Sequence, residues 1–226
     1  MEKLTTEERD SITISYNEAL TQTSRGCAFE LSKDDWSIMQ ITLCDVLREI
    51  TEKAKVRYDW EPVMVYDRPS RDVTATRKLS TLGIEFRLHA GILGIELELW
   101  LCNEFAYEIP SMKDSFWLKL SHFMTDFDVK YELYNCSKNY PNEEWVKRFE
   151  KFKNSSIFSL MFDFLSMQPL WENPHESIGS FHIPFTFNDS WKPLIPRLKD
   201  AVSQYTTCVY PLYRSHYLKS KRKKSK

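Results

Sequence analysis

Residues 84–101 constrain this chain more than any other stretch. Ile84, Phe86 and Leu88 alternate with Glu85, Arg87 and His89, and Ile95, Leu97, Leu99 and Leu101 alternate with Glu96, Glu98 and Trp100. Side chains that switch between apolar and polar at every step lie on opposite faces of an extended backbone. The stretch therefore predicts an antiparallel hairpin with one buried face. Gly91-Ile92 places glycine at the first central position of a two-residue loop, which suits a type II′ turn. That turn sets Leu88 against Ile95, Phe86 against Leu97 and Ile84 against Leu99 on the apolar face. On the polar face it sets His89 against Gly94, Arg87 against Glu96 and Glu85 against Glu98. A slip of one residue would turn the charges inward, so the faces are strongly specified. Opposed like charges are mildly destabilising, and Glu85 with Glu98 calls for Arg87 on the diagonal, a neighbouring strand, a cation or water.

Composition removes several function classes. Apolar residues make up 42% of the 226, with 14 Phe, 11 Tyr and 7 Trp, ample for a buried core. The five glycines, Gly26, Gly83, Gly91, Gly94 and Gly179, form no phosphate-cradling loop of the dinucleotide or P-loop kind. The five cysteines, Cys27, Cys44, Cys102, Cys136 and Cys208, are scattered and lack zinc-site spacing. The opening MEKLTTEERD has no apolar segment of a signal peptide, and no run of about eighteen apolar residues exists to span a membrane. These features predict a reducing, cytoplasmic setting (nuclear in a eukaryote), structural thiols and no membrane partner.

The net charge of −1 hides an asymmetry, because the last eight residues hold six Lys or Arg and no acid. Without those six charges the other 218 residues stand at −7. Such a body repels phosphate and suits a protein partner with a basic surface. Nucleic acid is expected only through the basic tail, where Lys221, Arg222, Lys223 and Lys224 also have the density of a nuclear-import signal. A solvated terminus is the plainer reading of that tail, and residues 219–226 are expected to be disordered.

Thr5 with Glu8 has capping-box spacing and opens a helix over 6–23; Ser32 with Asp35 opens another over 34–56, striped by Met39, Leu43, Leu47 and Ile50. Residues 63–66 read as a short strand and 67–81 as a polar loop. Further helices are expected after Ser111, after Pro141-Asn142, over 157–165 and after Ser190, with Pro196 marking a kink or a later start. Residues 129–134 alternate as a strand, and 181–187 as an edge strand because Pro184 lacks an amide donor. The expected fold is α+β: a small antiparallel sheet centred on 84–101, covered by helices in one domain over 1–218.

The polar face of the hairpin is the densest cluster of chemical groups in the sequence. Glu85, then ten intervening residues, then Glu96-x-Glu98 resembles the acid-then-ExK layout of restriction-type nucleases of the PD-(D/E)xK superfamily. The resemblance covers about fifteen residues, with Glu85 in place of the leading Asp and Glu98 in place of Lys. It implies a Mg²⁺ or Mn²⁺ ion held by Glu85, Glu96 and Glu98 that activates water. An ion-paired or solvated sheet face explains the same carboxylates. His89 lies beside them; His122, His175, His182 and His216 share no spacing, and no nucleophilic triad can be nominated. Trp100 falls on the polar face of its strand and, with Arg87 and His89, would form an interaction surface. Trp171, Trp191, Tyr210, Tyr213 and Tyr217 read as interface anchors or as satellite core. The leading expectation is a non-enzymatic interaction module without a cofactor, such as an inhibitor, an immunity-type partner or an assembly subunit. A metal-dependent nuclease is the alternative.

Overall fold

The structure is a computed structural model that describes residues 3–25, 32–52, 60–65, 73–79, 84–140, 142–154, 157–170 and 177–224. In chain order the elements are α1 (Thr6–Arg25), α2 (Lys33–Glu52), β1 (Met64–Val65), β2 (Val73–Leu79), β3 (Ile84–Gly91), β4 (Gly94–Cys102), α3 (Asp114–Asp126), β5 (Lys130–Leu133), β6 (Cys136–Lys138), α4 (Glu143–Glu150), α5 (Ile157–Ser166), β7 (Met167–Pro169), β8 (Ser177–Phe185) and α6 (Trp191–Lys224). Among the described residues β1-β2-β3-β4-β8-β5 form one antiparallel sheet in that order, and β6 pairs with β7. The fold class is α+β, with the 84–101 hairpin at the middle of the larger sheet.

Local chemistry sets the helix starts. The Thr5 N–H donates to Glu8 Oε2 at 2.7 Å and the Glu8 N–H to Thr5 Oγ1 at 3.2 Å, a reciprocal capping box for α1. Ser32 Oγ accepts the Asp35 N–H at 3.1 Å ahead of α2, and Asn142 Oδ1 accepts the Trp145 N–H at 3.0 Å ahead of α4. Ser111 does not cap: its hydroxyl turns back to Glu108 O at 2.7 Å, and α3 starts at Asp114 without a side-chain cap.

The hairpin faces are as the alternation requires. Phe86, Leu88, Leu97 and Leu99 are fully buried. The turn itself is Ile92-Leu93 rather than Gly91-Ile92. Moving a two-residue loop by one position moves every cross-strand partner by two, which preserves both faces. Gly94 follows the turn at φ 126°, and a Cβ there would sit 2.7 Å from Phe185 O. Glycine is thus required where β4 meets β8. Gly179 is required for the same reason on the other side of β8, since a Cβ would collide with Glu132 O of β5.

Two strand expectations are corrected. The stretch read as a polar loop contains β2, with Val73, Ala75 and Leu79 buried; the basic residues between them masked the alternation. β8 lies between β4 and β5 rather than at an edge. The Tyr134 N–H donates to Ile178 O at 2.6 Å, so the four-residue β5 runs beside the first half of β8 and ends before Pro184, whose missing N–H costs no ladder bond to it. Residues 219–224 continue α6, while Ser225 and Lys226 lie outside the described residues. Lys and Arg are good helix formers, and cations are favoured at a helix C-terminus. α6 also starts at Trp191 and runs through Pro193 and Pro196.

The chain divides into two compact units, each built from separate stretches of sequence. Unit 1 comprises 1–80, 85–99 and 182–203; unit 2 comprises 81–84, 100–181 and 204–226. In unit 1, α2 packs on α1 and β2 through Met39, Leu43, Val46, Leu47 and Ile50, all fully buried. Arg9 of α1 is only 2% exposed and donates to Asp45 at 2.6 Å and Glu49 at 3.0 Å. Glu49 is also met by Lys199 at 2.8 Å and by Lys3 at 3.3 Å. In unit 2 the core is aromatic: Phe181 stacks on Phe164 and meets Phe123 and Tyr205 edge-on, with Trp117 against Phe116 and Phe164.

Two predictions follow from this packing. Leu97→Ala should lower unfolding free energy by about 2–5 kcal/mol in a denaturant titration, as for other fully buried leucines. Burial alone would raise the Glu49 carboxyl, but hydrogen bonds from Lys199 and Arg9, with Lys3 nearby, outweigh it and hold the group at about 2 instead of 4.5. A depressed folded-state pKa stabilises the fold above the unfolded value, and that contribution, on the order of 3 kcal/mol, is lost as pH falls from about 4.5 to about 2. Chemical denaturation across that window should show the loss in wild type and a flatter profile in Glu49→Gln.

Candidate functional site

The structure separates the carboxylates that the sequence grouped. Glu85 is 8% exposed on β3 and is held by two cations: Lys78 of β2 at 3.0 Å and Arg87 at 2.7 Å. Lys78 comes from the strand hidden in the expected loop, so this neutralisation was not visible in the sequence. The shifted turn moves Glu85 off Glu98, so the expected opposition of these two carboxylates does not form; Lys78 and Arg87 are the groups that meet Glu85.

Glu96 and Glu98 meet a histidine instead. His182 of β8 is largely buried, and its Nδ1 lies 3.0 Å from Glu96 Oε1, an ion pair when the ring is protonated. One ligand atom from each of Glu96, Glu98 and His182 lies within 4.8 Å of the others. All three belong to unit 1. His182 was singled out by no spacing, because β4 and β8 are brought together only by the order of strands in the sheet. The one sequence signal was its place in an alternating stretch, between Phe181 and Ile183.

The implied Mg²⁺ or Mn²⁺ can be tested against this geometry. Glu85 is not in the group, and a nuclease site of Glu85, Glu96 and Glu98 would have to break two ion pairs to recruit it. The trio that does converge is one imidazole and two carboxylates. That donor set suits Mn²⁺ or Zn²⁺ better than Mg²⁺, which prefers oxygen alone. Without a metal, the His182–Glu96 pair holds and orients a proton between ring and carboxylate.

The residues expected to form an interaction surface each have partners inside the protein. His89 Nδ1 lies 2.9 Å from Thr74 Oγ1, and Arg87 is bonded to Glu85. In unit 2, Trp100 is half-buried with its ring 6.3 Å from that of Tyr134, and its carbonyl accepts the Tyr205 hydroxyl at 2.7 Å. Trp191 and Tyr213 are fully buried core residues; Trp171 lies outside the described residues, as does the side chain of Tyr217. The four described cysteines are free, and burial pushes the Cys44 and Cys208 thiols up to about 11, which suits inert packing groups.

Unit 1 also contains a cleft of about 570 Å³. Ile41, Cys44 and Val65 supply apolar walls, and Lys3, Arg48 and Glu52 charged ones. Ile41 and Val65 remain well exposed there, and Ile38, one turn before Ile41 on α2, is exposed as well. Among the described residues no helix is long and apolar enough to cross a membrane. Comparison of the chain with protein-family models, with curated proteins and with solved structures finds no match.

The Glu85 arrangement carries a direct test. Glu85→Gln would leave Lys78 and Arg87 without their shared counter-charge in a mostly buried position, and should cost about 1–3 kcal/mol in unfolding free energy. A neutral or stabilising effect in denaturant titration would mean that the two cations do not stabilise the fold through Glu85.

Proposed function

We propose that this chain is a non-catalytic protein-interaction module that docks a basic protein partner through the cleft face of unit 1. The observation that carries this reading is the contrast between two surfaces. The polar face of the hairpin is committed to internal pairs, Glu85 with Lys78 and Arg87, His89 with Thr74, and Glu96 with His182. The cleft face instead leaves Ile38, Ile41 and Val65 exposed beside charged side chains. Apolar anchors with a charged rim are the usual anatomy of a protein-binding patch. The −7 charge of the first 218 residues supports a basic partner, steering association more than tightening it.

A second reading is favoured by one specific observation, the convergence of Glu96, Glu98 and His182. It is a divalent-metal site, and with it the nuclease alternative, now with His182 in place of Glu85.

Two measurements separate the readings. Partner capture from cell extract, followed by binding measurements on the purified pair, should show an affinity that Ile41→Asp reduces at least tenfold without lowering thermal stability. Calorimetric titration with Mn²⁺ should give no saturable heat at submillimolar concentration in wild type or in Glu98→Gln. Saturable Mn²⁺ binding lost in Glu98→Gln, together with Mn²⁺-dependent cleavage of an oligonucleotide, would replace the interaction reading with the enzymatic one.

A further inference from the structure

The final turns of α6 combine a regular backbone with a concentrated charge. Residues 219–224 continue the helix and include Lys219, Lys221, Arg222, Lys223 and Lys224, five cations in six residues with no acid. Cations near a helix C-terminus are favoured by the macrodipole, but that effect is confined to the last turn and is satisfied by one or two of them. The remainder is a cost, because Lys219 with Arg222, Lys219 with Lys223 and Lys221 with Lys224 are like-charge pairs three or four residues apart on one helix. A polyanion relieves that repulsion.

The linear charge density fits a particular polyanion. At 1.5 Å per residue, six helical residues occupy about 9 Å, and duplex DNA carries one negative charge per roughly 1.7 Å, or about five over the same length. An anionic membrane is the poorer fit. Residues 219–224 contain no apolar side chain, whereas a helix that lies on a bilayer needs an apolar face to bury.

We propose that residues 219–224 of α6 dock on the phosphate backbone of nucleic acid without reading its sequence. The −7 charge of the first 218 residues repels phosphate, so contact is confined to this helix end and the affinity is weak and steeply salt-dependent. This element is independent of the cleft face and of the partner docked there.

The test is fluorescence polarisation of the full chain with two labelled duplexes of unrelated sequence, about 20 base pairs each. Both should bind equally, with log affinity falling against log salt at a slope of about −4, as four or five neutralised phosphates require. Lys221→Gln/Arg222→Gln/Lys223→Gln/Lys224→Gln keeps residues of good helix propensity. It should lose at least tenfold in affinity at low salt, and its slope should become shallower by about three. The charge-preserving variant Lys221→Arg/Lys223→Arg/Lys224→Arg should bind like wild type, which separates loss of charge from loss of fold. No binding at low salt would overturn the proposal. So would unchanged binding in the glutamine variant, or tighter binding to phosphatidylserine–phosphatidylcholine vesicles than to DNA at equal phosphate concentration.

Discussion

A buried guanidinium fixes unit 1. Arginine keeps its charge at any physiological pH, so a chain that buries Arg9 to 2% exposure must bring anions to it. Asp45 and Glu49 do so from one face of α2, four residues apart, and Lys199 balances the excess on Glu49 from α6. The neighbours of Arg9 on α1 hold the start of α6: Asp10 accepts the Trp191 N–H at 2.8 Å, and Thr13 Oγ1 accepts the indole N–H of Trp191 at 2.9 Å. About one turn of α1 thus sets its register on α2 and on α6 together. Such a network adds little net stability over an apolar one, because desolvation consumes most of the attraction. Its effect is to penalise sliding of the helices, since a shift of one turn would leave Arg9 buried with one of its two counter-charges.

The same rule governs the hairpin. Two of the three acids on its polar face are met by a partner from a strand next to them or from their own: Glu85 by Lys78 and Arg87, Glu96 by His182. The hairpin occupies the middle of a six-stranded sheet, so each of its strands has a neighbouring strand on both sides. An arrangement that looks in the sequence like an exposed acidic face is therefore a set of cross-strand pairs. That is the physical reason for placing recognition on the cleft face, where apolar side chains of α2 and β1 remain exposed.

Unit 2 is organised differently. Its core relies on aromatic packing and on hydroxyls aimed at one carbonyl, since Tyr205 and Tyr213 both donate to Trp100 O, at 2.7 and 3.3 Å. Tyrosine buries a large ring and still satisfies a buried backbone acceptor, which makes it suited to a strand end covered by a helix. The helix that supplies both tyrosines continues to Lys224, so the anchored part of α6 is the stem on which the basic turns are built.

What the sequence determined by itself rests on neighbours a few residues apart. The alternation in 84–101 specified which side chains are buried, and it did so even with the turn one residue out of place, because a two-residue shift of partners leaves the faces unchanged. The Thr5–Glu8, Ser32–Asp35 and Asn142 caps were legible because each bond closes within three residues. The stripe of α2 was legible because helical spacing is periodic. Tertiary structure alone decided which strand lies beside which. That order brought Lys78 to Glu85 and His182, more than eighty residues away, to Glu96 and Glu98. It placed Pro184 inside the sheet at the point where β5 ends, and it gave a run of lysines a helix to continue. Contacts of this kind have no period in the sequence, because they are fixed by which apolar faces pack together rather than by the spacing of the residues that meet.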